Sequence, residues 1–114
     1  MIAVANNSVV VINNLTSRRA SVIAHRTNSE AMGVIKAQMI DLLKEKLRNG
    51  VAHFIFQKKN GELREMFATT NKALVERHIV GTGESRELYA TTAVYDVEKG
   101  AWRSFRWESI VKVF

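Results

Sequence analysis

At Gly50 the spacing of apolar residues along this chain changes, and that switch limits the fold more than any other feature. From Ser29 to Arg48, Met32, Ile35, Met39, Leu42, Leu43 and Leu47 return at steps of three and four, so they lie on one face of a helix. From Val51 onward the apolar positions alternate, which is the period of a strand. A chain that changes period in this way sets one amphipathic helix against a sheet. Thr27 with Glu30 predicts a capping box at the helix start, and Asn49-Gly50 predicts a left-handed stop at its end. Lys44, Lys46 and Arg48 fall in the last turns, where the helix dipole favours cations. The Met/Leu stripe is expected to pack in the core.

The segment "VAHFIFQKKNGELREMFATT" predicts two strands joined at Asn60-Gly61, a pair suited to a type I′ turn. That turn would set Lys59 opposite Glu62, Gln57 opposite Arg64, Ile55 opposite Met66 and Phe54 opposite Phe67. Phe54, Phe56, Leu63 and Phe67 would then share one face, with Ile55 and Met66 beside Gln57 and Arg64 on the other. Residues 70–88 read as a polar connection with a glycine-rich tip, "GTGES", which lacks the Lys-Ser/Thr of a phosphate-binding loop. "ELYATTAVYDV" and "AWRSFRW" predict two further strands around "EKG", "ESI" a single helical turn, and "VKVF" a closing strand. The fold class expected is α+β: a small antiparallel β-barrel of five short strands preceded by the helix and by an N-terminal strand at "SVVVI". Residues 20–24 fit a helix or a strand equally well. The divisions expected are an N-terminal strand and variable segment (1–28), the helix (29–50) and the barrel (51–114), in one domain.

Composition removes several function classes. The 114 residues contain no cysteine, so there is no disulfide framework, thiol nucleophile or cysteine-ligated zinc. His25, His53 and His78 lack metal-ligand spacing. Glu62, Glu65, Asp96 and Glu108 sit in no acid–base motif, and Ser104 and Ser109 in no nucleophile motif, so a non-enzymatic protein without cofactor or metal is expected. Asp96 is explained as the first residue of its turn. The opening "MIAVANNSVVVI" lacks the early cations of a secretory signal and is too short to span a bilayer, so a cytoplasmic location and no membrane partner are expected. The net charge of +6, spread along the chain without a basic run, favours polyanionic partners.

"VAHFIFQKKNGELREMFATTN" and "VYDVEKGAWRSFRWESIVKVF" together resemble the phage-encoded family of WYL-like domains with an Sm-like SH3 barrel. In that pattern an aromatic strand leads into Lys-Lys-x-Gly and then an arginine. An Asp-x-x-x-Gly-x-Trp-Arg-x-Phe-Arg hairpin and a Ser-Ile turn follow. Lys58, Lys59, Gly61, Arg64, Thr69, Asp96, Gly100, Trp102, Arg103, Phe105, Arg106, Ser109 and Ile110 match it, within residues 51–114. The resemblance implies an Sm/SH3-like barrel and, by relation to WYL domains, recognition of nucleotides or single-stranded nucleic acid.

In "AWRSFRW" alternation sends Trp102, Ser104 and Arg106 one way and Arg103, Phe105 and Trp107 the other. The rings can fill the core or form an arginine-flanked platform on which bases stack. The candidate nucleic-acid-binding residues are Lys58, Lys59, Arg64, Arg103 and Arg106 for phosphates, with Trp102 and Phe105 for stacking. The expected partner is nucleic acid, DNA or RNA, or a nucleotide. The alternative is an interaction protein that docks on and modulates a host bacterial protein, with homo-oligomers formed through an open sheet edge. For a phage protein the compartment would be the host cytoplasm.

Overall fold

The computed structural model describes residues 14–75 and 90–114 in full, and the backbone of residues 2–5 and 8–11. The "GTGES" tip, His78 and the start of "ELYATTAVYDV" lie outside the described residues. Strands β1 (Ile2–Ala5) and β2 (Ser8–Val11) form an antiparallel hairpin. Helices α1 (Asn14–Thr27) and α2 (Glu30–Asn49) follow. The main sheet contains β3 (Ala52–Gln57), β4 (Leu63–Thr69), β5 (Thr91–Asp96), β6 (Ala101–Arg106) and β7 (Ile110–Val113), in the order β6-β5-β4-β3-β7. A one-turn helix, α3 (Lys72–Val75), follows β4, and a 3-10 turn (Trp107–Ser109) precedes β7. The expected α+β class, the five strands and the single turn before the last strand are all present.

Residues 20–24 belong to α1. Its buried residues are Thr16, Arg19 and Ile23, so two of its three core positions are polar and leave little hydrophobic period to read. Asp41 of α2 makes that burial tolerable: it accepts from Thr16 Oγ1 at 2.7 Å and pairs with Arg19 at 2.5 Å. Asn28, at φ 55°, ends α1 in the left-handed conformation that asparagine tolerates, and the Ser29 N–H returns to the Ala24 carbonyl. Ser29, not Thr27, caps α2, its hydroxyl accepting from the Met32 N–H. Thr27 Oγ1 instead donates to the Ile23 carbonyl within α1. The two helices meet closely at Gly33, where a Cβ would overlap the Ala20 carbonyl oxygen and lie 2.9 Å from Ala24 Cβ. Gly33→Ala is therefore expected to lower stability by about 1–3 kcal/mol, despite the better helix propensity of alanine, in urea denaturation.

The C-terminal end of α2 is not stopped by a left-handed glycine. Gly50 is extended (φ 162°), and the end of β4 supplies the donors that the last carbonyls need. The Thr70 N–H donates to the Leu47 carbonyl, Asn71 Nδ2 to the Arg48 carbonyl and Thr69 Oγ1 to the Gly50 carbonyl.

The helix face in the core overlaps the expected one only in part. Leu43 and Leu47 of the expected stripe are fully buried, joined by Ala37 and Ile40 with Gly33 beside them, whereas Met32, Ile35 and Leu42 are exposed. The sequence stripe was a true helical face, but it is rotated about 100° from the one that packs.

The β3–β4 hairpin is shifted by one residue from the expected register: Phe54 pairs with Met66, Phe56 with Arg64 and His53 with Phe67. The loop runs from Lys58 to Glu62, with the Gly61 N–H returning to the Lys58 carbonyl and the Lys58 N–H to the Glu62 carbonyl. Gly61 alone takes a positive φ (90°), which is a three-residue loop ending in a bulge and not the two-residue I′ turn. A one-residue slip exchanges the faces of the partner strand. Met66 and Ala68 therefore join Phe54 and Phe56 in the core, and Leu63 and Phe67 turn outward.

Phe105 of β6 lies with its ring 5.4 Å from both Phe54 and Phe56. In a flat sheet β6 and β3, three strands apart, would be about 14 Å distant. The sheet is therefore strongly curled, and the two helices cover its concave side, where Trp107, Ile110 and Val94 complete the core.

Candidate nucleic-acid interface

The seven residues singled out by sequence do not form one cluster. Lys58 and Lys59 are exposed at the tip of the β3–β4 loop, with Lys58 3.9 Å from Glu62. Arg64, half-buried, reaches sideways to the turn after β5, where its guanidinium donates to Asp96 Oδ2 at 2.7 Å. Asp96 is buried, and its other oxygen accepts from the Glu98 and Lys99 N–H groups, so it is the turn-former the sequence suggested and also the partner of Arg64. Arg64 thus starts from a paired state.

Phe105 is 5% exposed, with both neighbours in the aromatic core, and this corrects the expectation that it stacks a base. Its partner on β5 is Thr92, which faces inward, so alternation gave the right direction and the curl of the sheet closed over it. Trp107 is fully buried beneath α1 and α2.

Trp102 faces the other way, on the outer surface of edge strand β6, half-buried and edge-on to Tyr95 at 5.8 Å. Ser104 and Arg106 follow it on that surface, and Arg103 emerges on the opposite side of the same strand. Arg103 and Arg106 are exposed and neither has a carboxylate partner among the described residues. Arg106 lies opposite Thr91, roughly 16 Å along the strand from Ala101. The basic residues are therefore divided: Lys58 and Lys59 in the β3–β4 loop, Lys99 in the β5–β6 turn, and Arg103 and Arg106 on β6 with Trp102.

A feature not anticipated lies on the outer face of β4, β3 and β7. Phe67, His53 and Phe114 stack in a row, with centroids 4.2 and 4.0 Å apart and planes within 13°. Lys112 Nζ stands 4.5 Å over the Phe114 ring, and His53 Nε2 meets Glu65. The register slip hid this row, because it moved Phe67 from the expected inner face to the outer one.

Among the described residues no group of acidic and histidine side chains is placed to hold a metal ion, and no helix is long and apolar enough to cross a membrane.

Residues 40–111, from the middle of α2 into β7, match the protein family described as WYL_2, Sm-like SH3 beta-barrel fold. The chain belongs to this family. It is also 31% identical over 81 residues to an uncharacterized 11.5 kDa protein from the Gp31-cd intergenic region of Enterobacteria phage T4, a match spanning 68% of this chain and 79% of that protein. That relative supports a phage origin. No solved structure matches the chain. WYL_2 membership accounts for the curled five-stranded sheet, while the ligand chemistry of this member depends on its own surface residues.

Proposed function

We propose that this WYL_2 protein is a non-enzymatic binding protein that holds single-stranded nucleic acid on the outside of its β5–β6 hairpin. The observation that carries the reading is Trp102, a half-buried ring on the outer face of an edge strand that also carries Arg103 and Arg106, both exposed and without carboxylate partners among the described residues. Trp102 stacks a base, Arg103 and Arg106 hold flanking phosphates, and the +6 charge draws the strand in. Lys58, Lys59 and Lys99 extend the attraction at the loop end.

Fluorescence-anisotropy titration with labelled single-stranded and duplex oligonucleotides at two salt concentrations tests this. Saturable, salt-dependent binding with partial tryptophan quenching is expected, since Trp102 is partly exposed and Trp107 is fully buried. Trp102→Ala should weaken binding by about 1–3 kcal/mol at an unchanged salt slope. Arg106→Ala should flatten that slope by about one. Equal slopes in the two variants, or no binding at low salt, would remove the reading.

A second reading, docking on and modulation of a host bacterial protein, is favoured by the exposed Phe67–His53–Phe114 row. An interface of that kind would be weakly sensitive to salt and would be lost in Phe67→Ala but retained in Trp102→Ala.

A further inference from the structure

Two cations from different helices converge on the turn that follows β6. Arg26, in the last turn of α1, donates to Glu108 Oε1 at 2.9 Å and to the Ala90 carbonyl at 3.4 Å. Lys36 of α2 donates to the Glu108 carbonyl at 2.7 Å. The turn is fixed without the Arg26–Glu108 pair. Lys36 holds its backbone, the Trp107 N–H donates to the Ala90 carbonyl, and the Trp107 ring is fully buried. The pair itself is partly exposed, 32% at the Arg26 side chain and 18% at that of Glu108. Such a pair adds little stability, so its main effect is on the charge of the surface around it.

That surface adjoins the end of β6. Arg106 directly precedes the turn, and its ladder partner Thr91 directly follows Ala90, the residue that Arg26 reaches. One strand spacing and one residue rise, about 5 and 3 Å, thus separate the backbone of Arg106 from that of the residue anchoring Arg26. A second guanidinium stands beside the exposed one of Arg106, but a carboxylate occupies it.

We propose that Glu108 ends the phosphate path at Arg106 and holds Arg26 in reserve as the next phosphate contact. This rests on the nucleic-acid reading above and sets where a bound strand stops. A phosphate beyond Arg106 meets the Glu108 carboxylate. It can recruit Arg26 only by leaving that half-buried carboxylate without its cation, which is costly. Glu108→Gln removes the anion and keeps the shape of the side chain. Arg26, still anchored at the Ala90 carbonyl, then offers its guanidinium to the strand.

Anisotropy titrations with a labelled single-stranded oligonucleotide over a salt series test this on the full-length wild type, Glu108→Gln, Arg26→Gln and the double variant. Circular dichroism and urea midpoints close to those of the wild type are expected for all three variants. Glu108→Gln should steepen the salt slope by about one, so that its affinity gains about tenfold on the wild type for each tenfold fall in salt. Arg26→Gln should keep the wild-type slope, because Arg26 holds no phosphate while Glu108 is charged. The double variant should return to the wild-type slope.

The double variant separates a reserve arginine from simple relief of repulsion. A slope as steep in it as in Glu108→Gln would overturn the proposal. So would an unchanged slope in Glu108→Gln, or a flatter one in Arg26→Gln, which would mean that Arg26 already holds a phosphate. In each of these cases the nucleic-acid reading would stand, provided that Trp102→Ala still weakens binding. No binding of the oligonucleotide by any of the four proteins at low salt would remove both.

Discussion

Trp107→Ala is expected to cost about 3–5 kcal/mol of unfolding free energy, measured as a fall in urea midpoint at constant m-value. A domain of this size holds roughly 5–15 kcal/mol in all, so the variant should be largely unfolded well below the melting temperature of the parent. The magnitude follows from position. Trp107 opens the 3-10 turn between β6 and β7, its N–H donates to the Ala90 carbonyl, and its ring is fully enclosed where α1, α2 and the sheet meet. The guanidinium carbons of Arg18 and Arg19 lie 5.3 and 5.9 Å from the ring centroid, so the ring also supports the buried end of the Arg19–Asp41 pair from one side. Trp107→Phe separates area from polarity. The indole Nε1 is buried without an acceptor among the described residues, so its loss breaks no hydrogen bond. The phenylalanine variant should therefore lose less than half of what alanine loses. A loss below about 1 kcal/mol for alanine would mean that the ring is not the keystone of this junction.

How much of this could be read in advance depended on whether local chemistry or tertiary packing made the decision. The strands after Gly50, the positions of the turns at Gly61 and Gly100 and the short turn before β7 were legible, because alternation and turn residues are local signals. The faces were not legible in two places, for two reasons. In the β3–β4 hairpin, Asn-Gly suggested a two-residue loop, but the ladder closes one residue differently and exchanges Phe67 with Met66. In α2 two apolar stripes exist side by side, and the one that packs is that containing Gly33 and Ala37, small residues that let α1 approach. Residue size, which hydrophobic periodicity ignores, decided which stripe went inside. Helix α1 was hidden because Thr16 and Arg19 hold core positions through a partner 22 or more residues away.

The candidate site divided along the same line. Alternation along β6 correctly separated Trp102 from Phe105, and the +6 charge gave the general attraction to polyanions. Alternation carries no information on sheet curvature, and it is curvature that enclosed Phe105 between Phe54 and Phe56. It also carries none on pairing across the β4–β5 ladder, which among the described residues pairs Ala68 with Asp96 and Thr69 with Tyr95 and is extended by the Val97 N–H to the Phe67 carbonyl. That short ladder brings Asp96 within reach of Arg64 and leaves Arg103 and Arg106 toward the other end of the sheet.

Asp96→Ala is the second change with a large expected effect, about 3–5 kcal/mol toward the lower end of that range. The carboxylate is almost fully buried and receives three hydrogen bonds: from Arg64 at 2.7 Å, and from the Glu98 and Lys99 N–H groups at 3.0 Å each. Alanine leaves the turn without its acceptor and the guanidinium without its anion. Arg64 is partly exposed and recovers some hydration, which is why the lower end is expected. Asp96→Asn keeps an oxygen for the turn and removes the charge, so it should fall between alanine and the parent. The double variant Arg64→Ala/Asp96→Ala should lose less than the sum of the single changes, by about 0.5–3 kcal/mol of coupling. The cycle bears directly on function, because an arginine committed to a buried carboxylate is not available to a phosphate. In oligonucleotide titrations at a temperature where all variants are folded, Arg64→Ala should leave the salt slope unchanged while Arg106→Ala lowers it by about one. A slope that falls equally in both would mean that nucleic acid draws Arg64 away from Asp96. Binding would then weaken the β4–β5 junction, and the complex should show a smaller stability difference between Asp96→Ala and the parent than the unbound protein does.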